Sequence, residues 1–308
     1  MIEEDLDEWD IRVARMIDGK EVYEKVDPNK DDPTLQKKMS TDPRCTIVTC
    51  YYRSPSKHSL EAYDAWMTNF LTTVDNEMII FCDQESYEQI MTLRKPFEDK
   101  TEVFIFPLED TYCGNSHYMP YWQKDIQRDI ERSIHNTNLY IIWNEKSMFV
   151  QRAMSINPFE TDFFMWCDIG CFRNSEEMPL FQKEWPSAEF LRTARKDKMY
   201  FLNITPFEGR DFTVLSNGLT RSFEYDTRIG ATMFLGHKDI FETWIELFYK
   251  YMNLYMQNNY FAGKDQNIIA SMYVLHPEIF RLVSPAEGQG NPWFYLQRFF
   301  LGREPESI

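Results

Sequence analysis

DFFMWCDIGCFRN, residues 162–174, carries an unbroken apolar run, Phe163 to Cys167, and then a single carboxylate, Asp168. A short apolar run without polar alternation predicts a strand over 162–168 that is buried on both faces. In an open parallel sheet, ligands bind beyond the carboxyl ends of the strands. Asp168 stands at such an end, wet enough to ionise and framed by apolar walls. A carboxylate there suits a hard cation, Mn2+ or Mg2+, which takes oxygen ligands and bridges phosphates. The plainer alternative is an acid that caps the next turn through Gly170 and Cys171.

The pattern on either side sets the fold class. CTIVTCYY (45–52), EMIIFCD (77–83) and EVFIFPL (102–108) read as strands. MYFLNI (199–204) and RIGATMFLG (228–236) read the same way. Between them lie helical patterns: Leu60, Tyr63, Met67, Phe70 and Leu71 behind a capping Ser59, a helix over 84–93, and Trp122, Ile126, Ile130 and Ile134 over 121–134. NLYIIWN (138–144) reads as a short strand, followed by a helix over 145–155 that Asn157-Pro158 ends. DIFETWIELFYKYMNLYM (239–256) is a strongly amphipathic helix, and another begins near Lys264. Strands alternating with helices predict an α/β domain over 45–302, a mixed and mostly parallel sheet with helices on both faces. Residues 1–44 read as an acidic N-terminal extension, helical near Trp9 to Ile17, and 303–308 as a C-terminal tail.

Composition narrows the function. The 308 residues are 43% hydrophobic and 16% aromatic, enough for a sizeable core, and the net charge is −16. That field disfavours nucleic acid and anionic membranes, so an anionic substrate needs local cations or a metal. No run of about 18 apolar residues exists, so no transmembrane segment is expected. The acidic start MIEEDLDEWD lacks the apolar stretch of a signal peptide. Six cysteines without a CxxC pair read as reduced core thiols of a cytoplasmic protein.

The segments WNEKSMFVQRAMSINPF, WCDIGCFR, RIGATMFLG and FAGKDQNIIASMY, in that order, resemble the bacterial HtrL/YibB family, a group assigned to the glycosyltransferase-A fold. SKHSLEAYDAW and NPWFYLQRF fit as well. The resemblance implies a sugar donor carried on a nucleoside diphosphate. Asp168 matches the first acid of an Asp-x-Asp metal motif, whose second acid is replaced here by Gly170. Lys146, on the preceding helix, and Arg173 are the implied cations for the diphosphate. Gly230 and Ala231 would let a donor sugar lie against the main chain, the alternative being tight strand packing. Asp265 and Gln266 of GKDQ are the implied catalytic pair, Asp265 as base or hydroxyl partner; Asp265 reads equally as a helix N-cap. Asp83 is the implied contact to base or ribose. His237 is a candidate third metal ligand, the alternative being a residue that caps a helix or faces solvent.

The expected activity is transfer of a sugar from a nucleotide sugar to a glycan or other hydroxyl acceptor, assisted by Mn2+ or Mg2+. The alternative is a non-catalytic nucleotide-sugar or glycan binder on the same fold. A nucleotidyltransferase ranks below both, because YYRSPSKHS after the first strand has no glycine.

Overall fold

The computed structural model describes residues 12–17, 20–25, 42–55, 57–182, 185–285 and 291–302, and the chain divides into two units, 1–41 and 42–308. In the first, β1 (Arg12–Ile17) pairs antiparallel with β2 (Lys20–Lys25). The expected helix near Trp9 to Ile17 is therefore a strand over its described part. The Asp18-Gly19 dipeptide between the two strands is a strong hairpin signal that the weak apolar periodicity obscured. Apart from Asp42 to Arg44, which open the second unit, the rest of the extension and the tail lie outside the described residues.

The second unit opens with β3 (Cys45–Tyr51), α1 (Leu60–Thr73), β4 (Met78–Cys82), α2 (Tyr87–Arg94) and β5 (Thr101–Ile105). Next come α3 (Met119–Arg128), α4 (Thr137–Ile156), β6 (Phe163–Cys167), α5 (Ala188–Thr193) and β7 (Met199–Asn203). It closes with β8 (Ile229–His237), α6 (Lys238–Gln257), α7 (Asp265–Leu275), β9 (Phe280–Val283) and α8 (Tyr295–Phe299). Seven strands form one sheet in the order β5-β4-β3-β6-β8-β7-β9. Only β8 opposes the others, pairing antiparallel with β6 and β7, while the remaining pairs are parallel. The mixed, mostly parallel sheet is the expected one. No helix among the described residues is long and apolar enough to cross a membrane.

Both faces are covered, which is why β6 has no polar alternation. Phe163, Met165 and Cys167 join the core cluster that contains Met67, Phe70 and Leu71 of α1. Trp166 faces the other side, 5.9 Å from the Phe149 ring of α4 and 6.5 Å from Phe234. Phe234 in turn lies 6.2 Å from Trp244 of α6. Each buried aromatic removes roughly 150–250 Å2 from water, so this stack contributes much of the sheet–helix cohesion.

Three expectations change. NLYIIWN is not a strand but the first two turns of the 20-residue α4. The Asn136 side chain accepts from Leu139 N at 3.0 Å and caps it. The apolar run fits a helix because it is shared between two environments: Tyr140 and Ile141 are buried, whereas Leu139, Ile142 and Trp143 wall a cleft. Asn157 ends α4 in the left-handed region at φ 34°, ahead of Pro158 as expected. The helix read over 121–134 stops at Arg128, and Ile130 is 73% exposed. Finally, β9 was not foreseen; its four residues are too short for a pattern.

Candidate active site

Strand periodicity places the lone acid. Side chains alternate along β6, so Asp168 shares the face of Trp166, the face that α4 covers. Trp166 Nε1 donates to Asp168 Oδ1 at 2.6 Å. Phe149 lies on Trp166, and Lys146, one helical turn earlier, falls over Asp168. Lys146 Nζ lies 3.2 Å from Asp168 Oδ1 and donates to the Ala231 carbonyl of β8 at 2.8 Å.

A second acid meets the same ammonium. Asp265 Oδ2 is 3.1 Å from Lys146 Nζ. Asp265 is the first residue of α7, not its cap, and its Oδ1 accepts from Gln266 N at 2.8 Å. The loop before α7 is pinned from two sides. Asp125 Oδ2 accepts from Ala262 N and Gly263 N at 2.7 and 2.9 Å, and Asn144 Nδ2 donates to Ala262 O at 3.1 Å. Sequence reading missed Asp125 and Asn144, whose only signal is that polar residues sit on the buried faces of helices.

The electrostatics follow from burial. The side chains of Lys146 and Asp265 are 4% and 8% exposed, that of Asp168 29%. Burial alone would lower the Lys146 ammonium, but the Asp168 and Asp265 charges outweigh it and hold it above the ordinary lysine value. Burial raises the Asp265 carboxyl, with Lys146 opposing and Asp168 adding. Two nearby thiols, Cys50 and Cys167, are pushed well up by burial, so neither is a thiolate nucleophile.

Asp168 lines a cleft at the carboxyl ends of β3 and β6. Its walls are mostly aromatic, among them Tyr51, Tyr52, Tyr63, Trp143 and Phe294. Arg173 stands at its edge. Its guanidinium lies 4.0 Å from the Trp66 ring and 4.9 Å from that of Phe294, and Arg173 Nε donates to Gly170 O at 2.9 Å. Among the described residues no carboxylate lies within ion-pair distance of it. The segments SKHSLEAYDAW and NPWFYLQRF thus supply the two rings that hold Arg173.

The other candidates fall elsewhere. Gly230 faces β7: an added Cβ would lie 3.1 Å from both Ile204 Cδ1 and Leu202 Cδ2, so its smallness serves strand packing. Ala231 contributes its carbonyl to Lys146, not an open surface. Gln266 is half-buried beside Asp265. Asp83 holds a turn, accepting from Arg53 N at 2.7 Å and Ser86 N at 2.8 Å, and it does not line the cleft. His237 pairs with Phe163 at the opposite end of β6 and caps α6 by accepting from Asp239 N, so it cannot meet a ligand at Asp168.

The donor set around Asp168 fits a protein-held divalent ion poorly. Such ions prefer several oxygen ligands, and the second nearby carboxylate, Asp265, lies across an ammonium. Position 170 is crowded as well: an added Cβ would meet Tyr63 Cε1 at 3.2 Å and Trp66 Cε3 at 3.3 Å, so an acid there requires the two rings to give by a few tenths of an ångström. Among the described residues, one group of three possible ligands exists, Asp129, Glu131 and His135. Lys264 Nζ already lies 2.6 Å from Glu131 Oε2 there, and Tyr140 donates to Asp129 at 2.6 Å.

A family model described as a bacterial protein of unknown function (HtrL_YibB) matches residues 44–302. The chain belongs to the HtrL/YibB family. Protein HtrL of Escherichia coli strain K12 is 24% identical over 298 residues, covering 85% of this chain and 96% of that protein. Core-mannan synthase A from Aspergillus fumigatus, solved in its Mn/GDP form, is 12% identical with a TM-score of 0.47, covering 92% of this chain and 95% of that one. Mouse xyloside xylosyltransferase 1, in apo form, is 10% identical at TM-score 0.40, over 78% and 85% of the two chains. The 4-diphosphocytidyl-2C-methyl-D-erythritol synthase of Anaerococcus prevotii DSM 20548 is 9% identical at 0.38, over 80% and 88%. At these levels of identity and structural overlap the three likenesses carry no argument about this chain. The fold of this HtrL/YibB chain is an α/β one, a mixed seven-stranded sheet with helices on both faces.

Proposed function

We propose that this HtrL/YibB chain transfers a sugar from a nucleoside diphosphate to a hydroxyl of a glycan or similar acceptor. The observation that carries the reading is the pairing, in one aromatic cleft, of a carboxylate at a strand end with an arginine that no acid among the described residues neutralises. In a chain of net charge −16, such an arginine is a local site for an anion. A nucleoside diphosphate offers both parts the cleft suits: a flat ring for the aromatic walls and phosphates for Arg173.

In the transfer, the acceptor oxygen bonds to the anomeric carbon. The bond from that carbon to the diphosphate oxygen breaks, and its electron pair leaves with the diphosphate. Arg173 stabilises the charge that develops on the leaving group. Asp168 is the carboxylate that reaches the cleft, placed to accept a hydroxyl hydrogen bond or, in an inverting reaction, the acceptor's proton. Asp265 acts from beneath, through Lys146, and Gln266 supports it by donating its backbone N–H to Asp265 Oδ1. The unpaired cysteines, all buried, suit a cytoplasmic setting.

A non-catalytic binder is the second reading, favoured by the withdrawal of Asp265 behind Lys146. Incubation with a panel of nucleotide sugars separates the two. Release of a nucleoside diphosphate from one donor, accelerated by a hydroxyl acceptor, is the expected result. Tight binding of a donor without release would establish the binder.

A further inference from the structure

We propose that Lys146 takes the place of a divalent metal as the resident cation of the Asp168 centre, which engages its anionic ligand without a protein-held ion. The proposal deepens the reading of the cleft as a diphosphate site and rests on it for the identity of the ligand.

The centre already holds a cation, one ammonium set between two carboxylates. Asp168 Oδ1 takes the Trp166 indole hydrogen at 2.6 Å and the Lys146 ammonium at 3.2 Å, and Oδ2 is 3.5 Å from the same ammonium. Asp265 closes the other side at 3.1 Å, and the Ala231 carbonyl completes the set at 2.8 Å. An ion bound to Asp168 would share its ligand with a buried ammonium, and like charges in a poorly solvated place repel strongly. The ion would also lack the second acid, because position 170 is a glycine, crowded by the Tyr63 and Trp66 rings at 3.2 and 3.3 Å from where a Cβ would stand.

The centre therefore divides two tasks that one metal ion often combines. Lys146, 4% exposed, fixes the position of Asp168 and never faces the cleft. Arg173, exposed at the cleft edge and held between two rings, meets the ligand's negative charge. Lys146 is in this sense a positioning residue, and the exposed edge of Asp168 is left to accept hydrogen bonds from a hydroxyl.

Titration with Mn2+ followed by electron paramagnetic resonance tests this without any substrate. The wild-type chain and Asp168→Asn are expected to take up Mn2+ identically. Lys146→Met, which frees two carboxylates, is expected to gain a site at least tenfold tighter, lost again in Lys146→Met/Asp168→Asn. One Mn2+ bound by the wild type and lost in Asp168→Asn overturns the proposal, as does a folded Lys146→Met with no new site. If Lys146→Met fails to fold, the wild-type and Asp168→Asn pair still decides. Calorimetry with UDP, GDP and ADP, in Mn2+ and in EDTA, separates the two readings. Equal affinity in EDTA supports the proposal, and binding only in Mn2+ overturns it. Binding of no nucleotide in either buffer overturns the diphosphate assignment, and the Mn2+ titration alone then rules on the cation.

Discussion

Lys146 Nζ stands 3.1 Å from Asp265 Oδ2, although the two come from different helices and only 4% and 8% of their side chains meet solvent. Removing one partner of a buried pair leaves an uncompensated charge, which costs more than the pair itself contributes. Lys146→Met is expected to lower stability by about 3–5 kcal/mol at neutral pH, measured by chemical denaturation.

The pH dependence of that loss has a definite sign. Burial already raises the Asp265 carboxyl, and loss of Lys146 removes the main opposing influence. A carboxyl raised in the folded state favours folding while protonated and loses that contribution as pH rises through its folded value. The gap between wild type and Lys146→Met should thus be smallest near pH 4 and widen toward pH 8. A gap that narrows over this range would contradict the arrangement.

Arg173 gives the contrasting case, an exposed cation whose value lies in binding. Arg173→Ala forfeits two ring contacts at 4.0 and 4.9 Å. Exposed cation–π contacts are worth about 0.5–1 kcal/mol each, so the fold should lose no more than about 2 kcal/mol. Nucleotide affinity should fall roughly 10- to 100-fold, the value of a charge-assisted hydrogen bond. Arg173→Lys keeps the charge but not the planar fork and should lie between.

Gly170→Asp restores the usual second acid of the motif, yet it should bring no metal affinity. The new side chain meets the Tyr63 and Trp66 rings, with its Cβ at 3.2 and 3.3 Å. Overpacking of this kind costs about 1–3 kcal/mol. Gly170→Ala carries the same Cβ without the charge, and a comparable loss in both variants would locate the cost in the rings.

The sequence disclosed the parts of the fold whose pattern is local. The run from Phe163 to Cys167 announces a strand covered on both faces, and Asp168 announces its wet end. The run from Leu139 to Trp143 misled because a helix with one side in the core and the other on a cleft has no polar face there; the Asn136 cap was the better guide. Asp265 read equally as a base and as a cap because its residue type and position suit both, whereas its partner is fixed by where α4 and α7 meet. Nothing in the order of residues indicates that Trp66 and Phe294 close on Arg173. Those contacts are properties of the packed sheet.

Asp168→Asn keeps the shape and the Trp166 hydrogen bond while removing the charge. Lys146 retains Asp265 and the Ala231 carbonyl, so stability should fall by only about 1 kcal/mol. Donor turnover should fall roughly 100-fold or more, since a charge-stabilising contact in an enclosed site is worth about 3–4 kcal/mol. Equal loss of stability and activity would make Asp168 a structural acid.

Titration calorimetry of UDP, GDP and ADP against the wild-type chain and Arg173→Ala tests whether the cleft at the ends of β3 and β6 holds a nucleoside diphosphate. One nucleotide should bind the wild type, and Arg173→Ala should bind it at least tenfold more weakly while remaining folded. Binding of none of the three, or undiminished binding by Arg173→Ala, would contradict it.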